Sequence, residues 1–399
     1  MSYLNCLLAL LIGYLLGSLL PAYFLGRLLR KIDIRQVGTK NAGTTNVYRT
    51  LGLWPAVVTA VYDLSKGVAT IALAYYCLGT PLWVAYLSGL LAIWGHIFPF
   101  YLNFSGGQGA ATTLGQLFLY LFLTLKNGWF PWELLLLLGF LTLAFYFITR
   151  SGAAVGIVVL IAFLFLILTR ATLNLVTIFL ALTVAILLAI NLYESAKRGY
   201  FKLRPRAKND ILIWRTWMRP LAVILPLAYF YLDKKWTLIL IGSVAGVFIG
   251  VDLVRLVARQ INLFFLKSTS LFKQKEARRF SSITSFLVAA FLIVGIFEKN
   301  IAITTLIFLV FGDVAAKYFG LQFGRTKIYQ KTLEGSLAYF CTCVFCGYAL
   351  LPYAPLNFWQ YLLGGAVATV AEVLPWNLDD NFTVGIATAG AMQLWRMLS

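Results

Sequence analysis

Long apolar runs alternate with short polar loops along almost the whole chain. A helix that crosses the hydrocarbon core of a bilayer needs about 20 mostly apolar residues, so each run predicts one membrane span. The pattern therefore predicts an all-α polytopic integral membrane protein with about 14 transmembrane helices. The predicted spans lie near residues 4–26, 53–79, 82–102, 110–125, 132–149, 152–169, 172–192, 220–232, 236–258, 281–297, 300–316, 335–352, 357–373 and 382–398.

A polar stretch rich in lysine and arginine, with a proline at position 205, separates the runs at 172–192 and 220–232. The glycine and asparagine pattern of the first half is not repeated in the second half. We therefore expect two helical domains with different functions. The predicted boundaries are a first domain at 1–200, a basic cytoplasmic linker at 201–219 and a second domain at 220–399.

Hydrophobic residues make up 61% of the chain and charged residues 12%, and the mean hydropathy is +0.85. Such a chain has too little polar surface for a soluble domain. The formal net charge of +19 can indicate nucleic-acid binding, but the cations lie in short loops between apolar runs. That distribution is typical of cytoplasmic loops near anionic lipids. We expect a multi-pass protein of the inner (plasma) membrane that contacts membrane lipids and no nucleic acid.

The excess of cations between Arg27 and Arg49 places this loop in the cytoplasm and the N-terminus outside. Basic residues follow the first apolar run rather than precede it, and no small-residue cleavage site is evident. The run is therefore predicted to be a retained span and not a signal peptide. Counting spans from this loop predicts that the active sites of both domains face the cytoplasm.

The stretch from Asp33 to Arg49, DIRQVGTKNAGTTNVYR, is too polar to cross a bilayer. Its glycines Gly38 and Gly43, with the neighbouring threonines, allow several backbone amides to point at one spot, as in phosphate-binding loops. Arg35, Lys40 and Arg49 add positive charge. The stretch predicts a pocket for a phosphorylated small molecule. The alternative is a basic loop held by acidic lipid headgroups.

Further polar segments follow in the same half: GSLLP at 17–21, DLSKG at 63–67, GHIFP at 95–99 and FSGGQG at 104–109. With the pattern DIRxxGxxNxGxTNVxR, their order over residues 10–200 resembles the acyl-phosphate-dependent glycerol-3-phosphate acyltransferases. The resemblance implies a membrane enzyme of phospholipid biosynthesis that needs no cofactor. Its substrates would be acyl phosphate and glycerol 3-phosphate, and its product 1-acyl-glycerol 3-phosphate (lysophosphatidate).

Phosphate is a competent leaving group, so an acyl-enzyme is unnecessary and orientation of the substrates supplies much of the rate. His96 is the only histidine and is predicted to accept a proton; the alternative is an interfacial histidine that caps a helix. Ser18 and Asn46, the other catalytic candidates, are predicted to donate hydrogen bonds to the developing oxyanion, together with glycine-loop amides. The predicted substrate-binding residues are Arg35, Gly38, Asn41, Gly43, Arg49, Lys66, Gly106, Gly107, Gln108 and Gly109.

Some positions depart from the family pattern. Gln108 stands where the family has the lysine of GGKG, and Ser105 replaces another usual lysine. The segment from Leu192 to Ser195 differs from the family's His-Arg-Glu-Asn. Lys40 can supply compensating charge. The first domain is therefore either a weakened acyltransferase or a domain for a different phosphorylated substrate.

Acidic residues in the second half lie at the predicted cytoplasmic ends of successive spans, and carboxylates near a bilayer usually mark function. Grouped carboxylates bind Mg²⁺ that bridges nucleotide phosphates, and cations neutralise phosphate charge. The alternative is that these carboxylates only pair with basic loops. The predicted metal ligands are Asp313, Glu334, Glu372 and Asp380, the predicted nucleotide-binding residues are Arg325, Lys331, Glu334 and Asn381, and Asp313 is the catalytic candidate.

These second-half motifs, over about residues 210–398, resemble the CTP-dependent dolichol, phytol and diacylglycerol kinases. The resemblance implies CTP and a lipid alcohol as substrates and Mg²⁺ as cofactor. Phosphatidate cytidylyltransferases share a Lys-Thr-x-Glu-Gly segment, but their closing signature is missing here. A membrane transporter for a phosphorylated metabolite and a binding protein with inactive catalytic loops remain alternatives.

Overall fold

The computed structural model describes residues 3–197, 219–258, 260, 262, 279–375 and 379–399. The predicted linker at 201–219 lies outside these ranges except for its last residue. The described residues are mostly helical, which confirms the predicted all-α class. The chain forms two compact units, one of Met1–Leu138 and Gly156–Phe201, the other of Gly139–Val155 and Lys202–Ser399.

The first predicted span is two helices, because the chain turns at Leu19 and Leu20 before Pro21 begins the second helix. The fourth helix continues into a π-helical turn at Leu73–Cys77. The helices up to residue 197 are α1 (Tyr3–Ser18), α2 (Pro21–Arg30), α3 (Thr44–Leu51), α4 (Leu53–Ala72), α5 (Leu82–Ile97), α6 (Ala110–Lys126), α7 (Glu133–Thr149), α8 (Gly152–Arg170) and α9 (Leu175–Lys197).

Helices α1 and α5 pack with their backbones in contact. Gly13 and Gly17 lie one above the other on α1, and a β-carbon on either would overlap with the backbone of Ser88 or Ala92. Gly95 of α5 lies equally close to the backbone of α1. Small residues at this spacing allow membrane helices to approach closely. The contact holds the C-terminal end of α5 beside the end of α1.

In the second unit, a two-stranded antiparallel hairpin stands between two helices. A π-helical turn at Phe308–Gly312 joins the two helices before it. The elements after residue 218 are α10 (Ile224–Tyr231), α11 (Lys234–Val257), α12 (Ser282–Ile296), α13 (Lys299–Ile307), α14 (Asp313–Phe323), β1 (Lys327–Ile328), β2 (Lys331–Thr332), α15 (Leu333–Leu350), α16 (Phe358–Val373) and α17 (Asp380–Leu398).

A buried polar network fixes the start of α12 against α11. Asp252 and Arg255 of α11 are fully buried and pair at 2.8 Å. Oδ2 of Asp252 accepts hydrogen bonds of 2.7 Å from the amide of Ser281 and from the hydroxyl of Thr284. Ser281 is the N-cap of α12, so the carboxylate satisfies an amide that the helix leaves without a partner.

Among the described residues, eight helical segments are long and apolar enough to cross a membrane. Shorter apolar helices correspond to the predicted spans near 110–125, 132–149, 220–232 and 281–297. The runs at 357–373 and 382–398 form α16 and α17, which are not among these candidates. The eight segments are Tyr3–Arg30, Leu53–Cys77, Leu82–Leu102, Gly152–Arg170, Leu175–Lys197, Lys234–Val257, Lys299–Phe323 and Leu333–Leu350.

Candidate functional site

A cavity of about 160 Å³ lies within the first unit, where the polar loop, α3, α4, α5 and α6 meet. Its lining combines backbone amides and small polar side chains with one carboxylate and one imidazole. Positively charged side chains are absent from the described lining. The lining residues are Thr39, Asn41, Gly43, Thr44, Thr45, Asn46, Asp63, His96, Gln108, Gly109, Ala110 and Ala111.

Two helices begin at this cavity. Helix α3 begins after Gly43 and helix α6 after Gly109, and neither first turn has a side-chain cap. The first amides of a helix have no partner within the helix and carry its partial positive charge. Backbone amides at a helix N-terminus bind phosphate and carboxylate groups. Two such ends at one cavity therefore direct partial positive charge into it, where the described lining has no cation and one carboxylate, that of Asp63.

Asn46 organises the loop beside the cavity. Its Nδ2 donates hydrogen bonds of 2.8 to 3.0 Å to the carbonyls of Ile34, Val37 and Asn41. Its Oδ1 accepts a bond of 2.8 Å from the amide of Thr39. These contacts occupy both amide hydrogens, so Asn46 shapes the loop in this structure. These contacts do not support its predicted role as an oxyanion donor.

Arg35 anchors the same loop from outside the cavity. Its guanidinium pairs with Asp33 through bonds of 3.0 and 2.8 Å and also donates to the carbonyls of Leu102 and Ser105. The hydrogen bonds from Arg35 lower the pKa of Asp33, although burial opposes this. The same pairing raises the pKa of Arg35. The structure thus uses Arg35 to tie the loop to residues 102–105, although it was predicted to bind substrate.

A buried charged cluster forms one wall of the cavity. Nζ of Lys66 lies 2.9 Å from Oδ1 of Asp63 and 2.8 Å from Nδ1 of His96. Lys66 also donates to the carbonyls of Gly17 and Leu19 at 2.9 and 3.2 Å. All three side chains of the cluster are at most 3% exposed. Asp63 was not among the predicted site residues, although its spacing from Lys66 places both on one face of α4.

Three of the predicted oxyanion donors of the first domain, Ser18 and the amides of Gly106 and Gly107, have partners within the protein. The amides of Gly106 and Gly107 donate to the carbonyls of Ile97 and His96 at 2.9 and 3.0 Å. The hydroxyl of Ser18 donates to the carbonyl of Tyr14 at 2.8 Å. These groups therefore hold the ends of α1 and α5 in place.

The predicted residues divide between the cavity and its surroundings. Arg49 is exposed in the last turn of α3, at the opposite end of the helix from the cavity. Those that line the cavity are Asn41, Gly43, Asn46, His96, Gln108 and Gly109. Those outside the described lining are Ser18, Arg35, Gly38, Arg49, Lys66, Gly106 and Gly107.

In the second unit, Lys331 lies between two acidic groups. Its Nζ is 2.6 Å from Oε1 of Glu372 and 2.9 Å from Oδ2 of Asp380. Burial lowers the pKa of Lys331, but attraction to these carboxylates outweighs burial and raises it overall. The second carboxylate oxygen of Glu372 is buried and has no hydrogen-bond partner among the residues that the structure describes. The structure thus brings together three predicted residues that the sequence separates.

The other predicted residues of this unit form separate pairs. Arg325 pairs with Glu334 at 3.3 Å, and Lys317 pairs with Asp313 at 2.9 Å. Asn381 donates to Asp379. In the described ranges, no three histidine, cysteine or acidic residues are grouped as metal ligands. The predicted carboxylates are therefore not grouped as one set of ligands among the described residues, and Mg²⁺ binding stays a prediction.

Fold and site define the class: an all-α polytopic membrane protein whose first unit has a polar cavity at the N-termini of two helices. Residues 7–200 match the family model described as glycerol-3-phosphate acyltransferase, and this N-terminal region belongs to that family.

Curated relatives support the same assignment. Glycerol-3-phosphate acyltransferase 2 of Dehalococcoides mccartyi (strain CBDB1) is 41% identical over 116 residues, which are 29% of this chain and 55% of the relative. Glycerol-3-phosphate acyltransferase of Synechococcus sp. (strain JA-2-3B'a(2-13)) is 47% identical over 114 residues, 29% of this chain and 56% of the relative. The chain spans about half the length of these relatives.

A solved structure also aligns with the chain. It is the glycerol 3-phosphate form of PlsY (YgiH), an integral membrane glycerol 3-phosphate acyltransferase. The two sequences are 28% identical, and the alignment covers 49% of this chain and 92% of that chain with a TM-score of 0.38.

Proposed function

We propose that the first unit transfers an acyl group from acyl phosphate to a hydroxyl of glycerol 3-phosphate. The observation that carries this proposal is the cavity between the N-termini of α3 and α6. Its amides suit the phosphate of the acceptor or of the donor. The family assignment of residues 7–200 supports the same substrates.

In this reaction the protein does not need to form a covalent bond with the substrate. The acceptor oxygen attacks the acyl carbonyl carbon, and the bond between that carbon and the phosphate oxygen breaks. The phosphate departs with the bonding electrons, and the hydroxyl proton leaves with it. The protein supplies orientation and hydrogen bonds to the oxygens that gain charge. Backbone amides and the side chain of Gln108 are suited to this role in a cavity whose described lining has no cation.

The test is an assay of the purified full-length protein in detergent with acyl phosphate and glycerol 3-phosphate. We expect acceptor-dependent release of phosphate together with 1-acyl-glycerol 3-phosphate. Release of phosphate without this product would contradict the proposal.

A matched pair of variants at Thr45, which lines the cavity in the first turn of α3, adds specificity to the assay. Thr45→Glu places a negative charge at a helix N-terminus, which stabilises the helix but repels phosphate. Thr45→Gln has the same size without the charge. We expect a higher KM for Thr45→Glu than for Thr45→Gln at equal stability. Equal KM values for the two variants would show that the substrate phosphates do not bind near Thr45.

For the second unit, the proposed activity is phosphoryl transfer from CTP to a lipid alcohol. Support comes from Lys331 beside Glu372 and Asp380, and from the buried Glu372 oxygen that has no partner among the described residues. A cation beside carboxylates is a common element of nucleotide sites. The chain would then combine two lipid-directed activities.

Radiolabelled CTP separates this proposal from its closest rival. A kinase moves label from the γ-phosphate to the lipid, whereas a cytidylyltransferase moves label from the α-phosphate. Assays with and without Mg²⁺ test the predicted metal requirement, and Asp313→Asn tests the predicted catalytic residue. Lys331→Met should lose most of the turnover, while Lys327→Met, at an exposed position of β1, should retain it. Transfer of α label, or no transfer at all, would contradict the kinase assignment.

A further inference from the structure

Lys66 has more acceptors around it than hydrogens to donate. Its Nζ lies within 3.2 Å of Oδ1 of Asp63, Nδ1 of His96 and the carbonyls of Gly17 and Leu19. An ammonium group has three hydrogens and no lone pair. Its neighbours can therefore only accept from a charged Lys66, and its three hydrogens match Nδ1 of His96 and the carbonyls of Gly17 and Leu19.

This requirement fixes the state of the imidazole. Nδ1 of His96, at 2.8 Å from Nζ, must present its lone pair to the ammonium. The distance from Nδ1 to Asp63 is longer, at 3.4 Å. Asp63 therefore forms an ion pair with the ammonium at 2.9 Å, although its Oδ1 accepts no hydrogen bond among the described residues. The ring proton is left for Nε2. A neutral imidazole, one carboxylate and one ammonium also give this buried cluster no net charge.

We propose that Lys66 is a positioning residue that holds His96 as its Nε2–H tautomer, so that His96 offers the cavity a hydrogen-bond donor. The predicted role of His96 as a proton acceptor is thereby replaced, and so is the predicted contact of Lys66 with substrate. The target of the donor is an anionic oxygen, either of a phosphate or of the acyl carbonyl during attack. This target rests on the proposed acyl transfer, whereas the tautomer does not.

The position of Nε2 agrees with a role as donor. A β-carbon on Gly107 would overlap with Nε2, so this atom lies against the glycine loop at the cavity. Within the described residues, Nε2 has no hydrogen-bond partner in the protein. A preorganised neutral donor stabilises developing negative charge without moving during the reaction. It also adds a hydrogen-bond donor to a cavity in which Gln108 is a neutral side chain.

The decisive measurement uses the single histidine of the chain. Labelling with ¹⁵N-histidine gives one imidazole, so its two nitrogen resonances need no assignment by mutagenesis. We expect, in detergent near neutral pH, a protonated Nε2 and an unprotonated Nδ1. A protonated Nδ1 in the wild-type protein would overturn the proposal, whatever the enzymatic activity.

Variants test the role of Lys66 separately. Lys66→Met removes the ammonium, so Nδ1 should become protonated and turn to Asp63. Lys31→Met, at an exposed lysine outside the cluster, should leave the spectrum unchanged. If Lys66→Met folds and keeps the wild-type tautomer, Lys66 does not set it. If the variant does not fold, the wild-type spectrum still decides.

Activity and ligand binding test the donor itself. Titration with glycerol 3-phosphate, with inorganic phosphate as a second probe, should shift the Nε2 resonance more than that of Nδ1. Lys66→Met should lower kcat by about tenfold or more, with a smaller change in KM, because a donor to the transition state is lost. An active enzyme whose Nε2 resonance and kcat do not respond would contradict the donor role. A wild type without acyl transfer would contradict only the proposed function.

Discussion

Gly38 lies so close to Asn46 that a β-carbon on the glycine would overlap with the Asn46 side-chain oxygen. Gly38 also has a φ of +59°, in the left-handed region. The same Asn46 oxygen accepts the hydrogen bond from the amide of Thr39. The glycine is therefore required twice, for its backbone conformation and for the room it leaves beside Asn46.

The first prediction is that Gly38→Ala destabilises the loop beyond the cost of its φ angle. A left-handed alanine costs about 1–2 kcal/mol, and displacing Asn46 removes hydrogen bonds of about 1 kcal/mol each. Gly79→Ala is a matched control, since Gly79 has the same φ and open space around it. In thermal unfolding experiments in detergent, the melting temperature should fall further for Gly38→Ala than for Gly79→Ala. Equal decreases in melting temperature would show that the contact between Gly38 and Asn46 is unimportant.

The second prediction concerns Gln108, which lines the cavity as a neutral side chain. Gln108→Lys should lower the KM for glycerol 3-phosphate or acyl phosphate about five- to tenfold, because hydrogen bonds to charged groups are stronger by about 1 kcal/mol. Gln108→Met, of similar length without polarity, should raise the same KM. If wild type is inactive and only Gln108→Lys makes product, the native substrate is a different phosphorylated molecule.

The third prediction is a pH dependence from Asp33 and Arg35. The folded-state pKa of Asp33 is lowered relative to an unfolded value of about 3.9. Its contribution to stability is therefore complete above about pH 4 and is lost as the pH falls through the lowered pKa. The difference in melting temperature between wild type and Asp33→Asn should shrink over this range. Asp233→Asn, at an exposed carboxylate, is a control for general effects of acid on stability. A difference in melting temperature between wild type and Asp33→Asn that stays constant with pH would contradict the prediction.

The fourth prediction is the membrane orientation, which rests on the basic loops. In a background without the native cysteines, single cysteines at the exposed positions Thr39 and Tyr329 should resist an impermeant thiol reagent in right-side-out vesicles and react after lysis. Native Cys77 is exposed near the opposite end of α4 from the polar loop. Restored alone, it should react without lysis. Labelling of Thr39→Cys in sealed vesicles would reverse the predicted orientation.

Much of the fold could be predicted from the sequence because a membrane span is a local property. Runs of apolar residues predict the positions of most helices. The break before Pro21 was missed, since the run on both sides of it is equally apolar. For the helices that are short or of moderate hydropathy, the apolar pattern predicts a helix but does not establish a crossing of the membrane.

The sites were harder to predict because their contacts join residues far apart in the chain. The glycine and asparagine pattern indicated a polar loop that forms a pocket, and residues of this loop line the cavity. Composition drew attention to cations such as Arg35 and Arg49, whereas the cavity is lined in part by backbone amides, which every residue except proline can supply. Similarly, the acidic residues of the second unit were expected to meet each other. The pairing of Glu334 with Arg325 depends on side-chain positions, which cannot be obtained by counting the spans along the chain.

The close contact between α1 and α5 has a consequence for tolerance to mutation. Helix α1 contributes no residue to the described lining of the cavity, yet the carbonyl of Gly17 accepts a hydrogen bond from Lys66, and Gly95, next to His96, lies against the same helix. A larger residue at Gly17 would separate the two helices and move both groups at once. In a saturation-mutagenesis screen, this lipid-facing helix should therefore tolerate change at its outward leucines and almost none at its glycines. Its sensitive positions would recur every fourth residue, on a helix that contributes no residue to the described lining of the cavity.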